Sequence, residues 1–157
     1  MIIDADCHLS TSRSERPHIT ADALVALMDR AGVDRALLWQ QPQYDGETDP
    51  GNRAVHEAVL AFPDRLVGIG WVNPRLGHEQ AVATIGRCFE EYGFQGIKFN
   101  GAQDRYVIDE PWVLDLVARA AEYGKPIAFH IGADAPDATH PCRLGRIAAA
   151  LPETQFL

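Results

Sequence analysis

The chain has 157 residues, enough for one domain with a sizeable core, and its 46% hydrophobic and 23% charged residues are typical of soluble globular proteins. The net charge of −8, with 14 scattered basic residues, argues against nucleic acid or an anionic membrane as the partner. We find neither a bilayer-length apolar run nor a basic leader, and we therefore expect a cytoplasmic protein. Cys7, Cys88 and Cys142 are odd in number and far apart, which favours reduced thiols over a disulfide framework.

The hydrophobic pattern predicts strands that alternate with helices along the chain. An opening strand ends at His8 and hands over to a polar loop, 9–18, placed where a loop can cover a site. Further strands are predicted at 36–39, 66–72, 96–100 and 126–131, and residues 154–157 resemble the start of a sixth. Helices are predicted from the Thr20 cap to Gly32, from the Asp49 cap to Pro63, through 82–92, from Asp109 to Gly124, and through 144–151.

Near-continuous apolar strands separated by helices are typical of a parallel sheet covered by helices. Each unit takes about 30 residues, close to the repeat of an eight-unit (β/α)8 barrel. An open doubly wound sheet has the same rhythm, but the first strand is not followed by its phosphate-binding glycine motif. Both folds place sites at the carboxyl ends of strands, so the position of the polar residues does not distinguish the two folds. The chemistry of the residues found there has to distinguish them.

The first strand carries Asp4, Asp6 and His8 at alternate positions, which predicts that the three side chains share one face. A carboxylate and an imidazole there can bind a divalent metal, whereas a strand end with alternating polar residues is the simpler explanation. His130 ends the apolar predicted fifth strand. It is either a hydrogen-bonded core histidine or the third ligand of a site that keeps an open position for water or substrate.

Other polar and aromatic residues lie near the predicted strand ends. Lys98 and Asn100 share a face of the fourth strand, where Lys98 is either an ion-paired lysine or a catalytic cation that holds a substrate carboxylate. Trp39 and Trp71 lie near the ends of the second and third strands and either line a substrate pocket with Asn100 or pack in the core. His140, in the loop after the fifth strand, is either a surface residue or a catalytic group that contacts substrate.

Four segments together carry a family resemblance: Ile3-Asp4-Ala5-Asp6-Cys7-His8, Phe62-Pro63-Asp64-Arg65, Gly93-Phe94-Gln95-Gly96-Ile97-Lys98-Phe99 and Lys125-Pro126-Ile127-Ala128-Phe129-His130-Ile131-Gly132. The sequence resembles the amidohydrolase-related family of metal-dependent hydrolases and decarboxylases. The resemblance implies a (β/α)8 barrel with Asp6, His8 and His130 as ligands of a divalent metal, zinc being favoured over manganese. Asp6 replaces the usual first histidine of the family, or the glutamate of a group of aromatic-acid decarboxylases.

The family also places a histidine at the end of strand six and an aspartate at the end of strand eight, and neither is reached before Leu157. We therefore expect residues 1–157 to be a single amidohydrolase-related domain that is incomplete at its C-terminal side. It would hold about five βα units and the start of a sixth strand.

The resemblance implies a hydrolase that uses a metal-activated water on a small carboxylated or cyclic substrate, such as an amide or a lactone. A decarboxylase of an aromatic or unsaturated acid is the alternative within the family. A catalytically inactive fragment or interaction module is the alternative of another class, because an unclosed barrel leaves a strand edge unpaired. A small open-sheet domain that binds a ligand without metal is a third hypothesis. The expected partner is a small-molecule substrate, and association into homo-oligomers is left open.

Overall fold

The computed structural model describes residues 1–10, 18–41 and 47–157, so most of the predicted loop 9–18 lies outside the described residues. The strands are β1 (Ile3–Leu9), β2 (Arg35–Gln40), β3 (Leu66–Val72), β4 (Gly96–Phe99) and β5 (Ile127–Phe129). The helices are α1 (Ala21–Ala31), α2 (Asp49–Ala61), α3 (His78–Gly86), α4 (Gly101–Asp104), α5 (Pro111–Ala121), α6 (Pro136–Thr139) and α7 (Pro141–Ala150). A 3₁₀ turn at Pro74–Leu76 and a π-helix at Arg87–Glu91 flank α3. None of the described helices is long and apolar enough to cross a membrane.

The strand order establishes the fold class. All strand pairs are parallel, and each strand lies beside its neighbour in the chain, in the order β1-β2-β3-β4-β5. A bridge between Ile127 and Phe156 adds the start of a sixth strand beside β5. A doubly wound sheet reverses its strand order at a switch point, whereas a barrel steps in one direction. The partial (β/α) barrel is therefore confirmed, and the open-sheet alternative is wrong.

The helix boundaries follow mostly from local sequence. The Thr20 hydroxyl accepts a hydrogen bond from the Ala23 N–H, and Gly32 ends α1 in the left-handed conformation, with φ of 70°. The prediction that Asp49 caps α2 is wrong, since Thr48 occupies the N-cap position and Asp49 is the first helical residue. Its carboxylate instead accepts a 2.7 Å hydrogen bond from Arg87, which ties α2 to the π-helix.

A second ion-pair cluster fastens α7 to the loop before α5. The Asp109 carboxylate accepts hydrogen bonds of 2.6 Å from Arg143 Nη1 and from Arg146 Nε. Burial raises the pKa of Asp109, but the two arginines outweigh it and hold the pKa below its usual value. The last described helix is thereby held by charge as well as by its buried Ile147.

The two faces of the sheet bury different sets of residues. Outward-pointing residues such as Leu38, Ile97 and Phe129 pack under the helices in the main hydrophobic core. The opposite, inner face holds a separate small cluster formed by Trp39, Ile69 and Trp71, with Leu37 packed against it. Trp39 and Trp71 of this inner cluster contact Lys98 of the predicted site.

An irregularity in β1 separates two of the acidic residues predicted to act together. The β1–β2 register runs from Asp4↔Ala36 to Cys7↔Leu38, so β1 contains one more residue than β2 between these two pairs. Because Ala36 and Leu38 share a face, Asp4 lies on the face of Cys7, and its carboxylate interacts with that thiol. The prediction that Asp4 shares a face with Asp6 and His8 is therefore wrong.

The ladder between β2 and β3 runs only from Ala36↔Leu66 to Leu38↔Gly68. Beyond it, the side chain of Asn52 from α2 takes the place of a neighbouring strand. Its amide donates to the Trp71 carbonyl at 2.9 Å, and its oxygen accepts from the Trp71 N–H at 2.7 Å. Gly51 lets the first turn of α2 approach closely, since a Cβ there would overlap the buried Gln40 side chain.

Candidate functional site

Strand register brings several predicted site residues to the inner face of the sheet. His8 pairs with Trp39, Trp71 pairs with Lys98, and Lys98 pairs with Ala128, two residues before His130. Paired residues of parallel strands point to the same face, so these side chains share the inner face of the sheet, and we refer to them together as the row. The row lies near the carboxyl ends of the strands, where barrel enzymes carry their sites.

Lys98 lies at the centre of this row and is only 6% exposed. Its Nζ is 3.5 Å from Asp6 Oδ1, 3.7 Å from the centroid of the Trp39 ring and 5.8 Å from that of Trp71. Burial lowers the pKa of Lys98, and the Asp6 carboxylate opposes that effect by favouring the charged form. The ammonium thus combines one ion pair with two cation–π contacts.

His8 receives a hydrogen bond of 2.8 Å from the Trp39 indole, from Nε1 to the imidazole Nε2. An indole N–H can only donate, so Nε2 carries a lone pair and the proton of the neutral ring is on Nδ1. That Nδ1 lies 3.8 Å from Asp6 Oδ1. Burial and the charge of Lys98 lower the pKa of His8, while Asp6 acts in the opposite direction. His8 is therefore a neutral imidazole at neutral pH, which is the form that binds metals.

His130 directly follows β5, and its side chain contacts Asp134 of the next loop. Its Nε2 lies 3.0 Å from Asp134 Oδ1, and this hydrogen bond holds the pKa of Asp134 below its usual value. His130 also lowers the pKa of His8. That influence places the two imidazoles in one electrostatic neighbourhood.

The donor types of Asp6, His8 and His130, one carboxylate and two imidazoles, fit a divalent cation. Their arrangement is not yet that of a bound metal. Across residues 1–10, 18–41 and 47–157, no three His, Cys, Asp or Glu side chains are grouped as a metal site. Asp6 instead faces Lys98, while His8 accepts from Trp39 and His130 contacts Asp134. The donor chemistry is suitable, and each donor has an organic partner.

Two other predicted site residues act as helix caps. Asn100 is buried and caps α4, since its side-chain oxygen accepts a 3.0 Å hydrogen bond from the Gln103 N–H. His140 is exposed and caps α7, with Nδ1 accepting at 3.1 Å from the Cys142 N–H. Their proposed roles toward a substrate remain predictions, and both side chains have a structural partner that explains their presence.

Sequence reasoning missed three residues that support the row. Besides Asn52, they are Asp134 and the buried Asp104, whose Oδ2 accepts from the Trp71 indole at 3.1 Å. Asn52 had a signal, because it lies three residues before the buried Val55 on the apolar stripe of α2. Asp104 and Asp134 lie in short segments after predicted strands, where the sequence pattern does not reveal which side chains turn inward.

A wide cleft lies at the other end of the strands. It has a volume of about 700 Å³ and is lined by Met1, Val33, Asp34, Arg35 and Arg65, among others. These residues lie in the loops at or before the amino ends of β1, β2 and β3, and Arg65 binds the Asp29 carboxylate at 2.7 Å. That end of a barrel serves stability, and the conserved chemistry of barrel enzymes is found at the opposite end.

Parallel strands stepping in one direction, with a carboxylate, two imidazoles and a lysine on the inner face near their carboxyl ends, define a (β/α) barrel with a polar site where barrel enzymes carry theirs. The chain belongs to the amidohydrolase family, because the family model described as Amidohydrolase matches residues 3–157. No relative is found among curated proteins.

Solved structures share the fold over nearly the whole chain. A 2,6-dihydroxybenzoate decarboxylase from Rhizobium is 16% identical, with a TM-score of 0.78, covering 99% of this chain and 64% of that one. A 5-carboxyvanillate decarboxylase from Novosphingobium aromaticivorans, with bound manganese, is 20% identical at a TM-score of 0.78 and the same coverage. A 4-oxalomesaconate hydratase from Rhodopseudomonas palustris is 18% identical at 0.67, covering 99% of this chain and 62% of that one. The chain thus spans less than two thirds of these enzymes, and at such identities the likeness shows the fold alone.

Proposed function

We propose that the protein is a metal-dependent decarboxylase of a small aromatic acid. The observation that carries the proposal is the Lys98 ammonium, buried against two indole rings beside Asp6 and His8. A buried cation attracts a carboxylate, and flat aromatic walls suit an aromatic ring. The fold likeness to two decarboxylases of aromatic acids supports this choice over the hydrolase favoured by the sequence alone.

Asp6, His8 and His130 would hold the divalent cation. When bound, such a cation polarises a substrate oxygen or acidifies a water. The carboxylate of Asp6 suits manganese better than a third imidazole would, and one of the decarboxylases of the same fold holds manganese. We therefore propose manganese ahead of zinc, reversing the preference from sequence.

The chain's own residues would act on both parts of the substrate. Lys98 would attract and orient the carboxylate, while the Trp39 and Trp71 rings would supply a flat apolar wall for the aromatic ring. The bond between ring and carboxylate then breaks, carbon dioxide leaves, and the ring carbon takes up a proton. Asp104 and Asn52 would keep Trp71 in position through its indole N–H and its main chain.

The test measures two reactions on one preparation loaded with MnCl2 or ZnCl2. Release of carbon dioxide from 2,6-dihydroxybenzoate, 5-carboxyvanillate and related hydroxybenzoates is compared with hydrolysis of lactones and amides. We expect decarboxylation that His8→Ala abolishes and Lys98→Met reduces at least about tenfold, as for loss of a charge-assisted contact. Lys125→Met is the matched control, because Lys125 lies before the amino end of β5, at the opposite end of the strands, and its ammonium donates to Gln95.

Turnover of lactones or amides, with none of the aromatic acids, would establish the hydrolase and refute the decarboxylase. A folded, metal-loaded protein inactive on the whole panel would favour the interaction module. If the reading frame continues beyond Leu157, the longer product is assayed beside the 157-residue chain.

A further inference from the structure

The Trp39 indole opposes metal binding at both nitrogens of His8. Its N–H points at Nε2 from 2.8 Å, so the lone pair on that nitrogen is already engaged. Coordination through Nδ1 would move the ring proton to Nε2 and set two N–H groups against each other. A cation that binds His8 through either nitrogen therefore has to break this hydrogen bond.

Lys98 opposes the same event at Asp6. Its ammonium lies 3.5 Å from Asp6 Oδ1 and is held there by the Trp39 ring, 3.7 Å away. Asp6 is otherwise open, with 68% of its side chain exposed, so the carboxylate has room to turn toward another cation. A divalent ion placed at Asp6 would meet the lysine's positive charge at close range.

We propose that Trp39 and Lys98 form an internal lock on the first-strand donors. A divalent cation binds Asp6 and His8 only after the indole has left Nε2 and the ammonium has left the carboxylate. The lock deepens the proposed function, on whose metal site it rests, and explains why Asp6 and His8 each have an organic partner in this structure. Trp39 and Lys98 then weaken metal binding, although both lie in the site.

The test is the affinity of the metal-free chain for MnCl2 and ZnCl2, measured by titration calorimetry and by the change in tryptophan fluorescence. Trp39→Phe keeps a ring over Lys98 and removes the N–H, so we expect about five- to tenfold tighter binding. Lys98→Met keeps an unbranched side chain between the indoles and removes the charge, so we expect at least about tenfold tighter binding. Melting in EDTA checks that each variant is folded.

Two controls separate the lock from other effects. Trp112→Phe likewise removes an indole N–H, but this one donates to the Glu110 carboxylate at the surface. The substitution should therefore leave the metal affinity unchanged. His8→Ala should abolish binding in every background. If wild type binds the cation through His8 and neither lock variant binds more tightly, the lock is refuted and the proposed site stands. If neither wild type nor the lock variants bind, the lock and the proposed site are both refuted.

Discussion

Replacement of Asn52 by alanine should destabilise the fold more than any comparable loss of a surface amide. Asn52 is fully buried, and its amide satisfies both the N–H and the carbonyl of Trp71 where the β2–β3 ladder has ended. Each buried backbone group left without a partner costs about 1–3 kcal/mol, so the two together cost about 2–6 kcal/mol. That is a large part of the roughly 5–15 kcal/mol by which a domain is stable.

Urea unfolding followed by circular dichroism measures this cost, with the midpoint compared at an unchanged slope. Asn73→Ala is the matched control, because the Asn73 side chain accepts a single N–H, from Arg75, in a part-buried turn. We expect that control to lose about 1 kcal/mol, as for a capping residue. A loss in Asn52→Ala no larger than in Asn73→Ala would refute the view that a side chain replaces the strand ladder.

Two further predictions concern ionisation. Asp109→Asn should cost about 1–3 kcal/mol at pH 7, when measured by urea unfolding. The pKa of Asp109 is lower in the folded protein than in the unfolded chain, where it is near 4. Its stabilisation is therefore fully present above the unfolded pKa and is lost as the pH falls through the folded pKa. A stability difference between wild type and Asp109→Asn that does not change with pH would contradict this. Burial, with Asp4 and Asp6 nearby, raises the pKa of Cys7 to about 12, and burial does the same for Cys88. Iodoacetamide should therefore label only the exposed Cys142 in the native protein and all three cysteines in urea, and native labelling that survives Cys142→Ser would disprove this.

The sequence predicts most elements because their signals are local. Apolar runs marked β2 and β3, and the Thr20 cap and Gly32 marked both ends of α1. The short helices α4 and α6 were missed because each has only four residues, too few for a periodic pattern. The π-helix after α3 was missed as well, since it continues the apolar stripe of an ordinary helix.

The site could be predicted by type of residue and only partly by geometry. Alternation along a strand holds at Lys98, which lies on the opposite face from Ile97 and Phe99, but it failed at Asp4, because a bulge changes the register and no local signal marks it. The Trp39 hydrogen bond to His8 depends on how two strands pair, which is a tertiary property. Asp134 likewise reaches His130 only through the path of its loop.

The short ladder between β2 and β3 joins only the amino-terminal parts of these two strands. Up to Leu38 and Gly68 the two strands share backbone hydrogen bonds, and beyond that point the described residues connect them through side chains such as Lys98. The Lys98 side chain makes such a connection, since it extends from β4 past Trp71 to the ring of Trp39 and to Asp6. Displacement of Lys98 therefore also weakens the contact between the carboxyl-terminal parts of β2 and β3. Events at the site and the separation of these strands are thus mechanically linked.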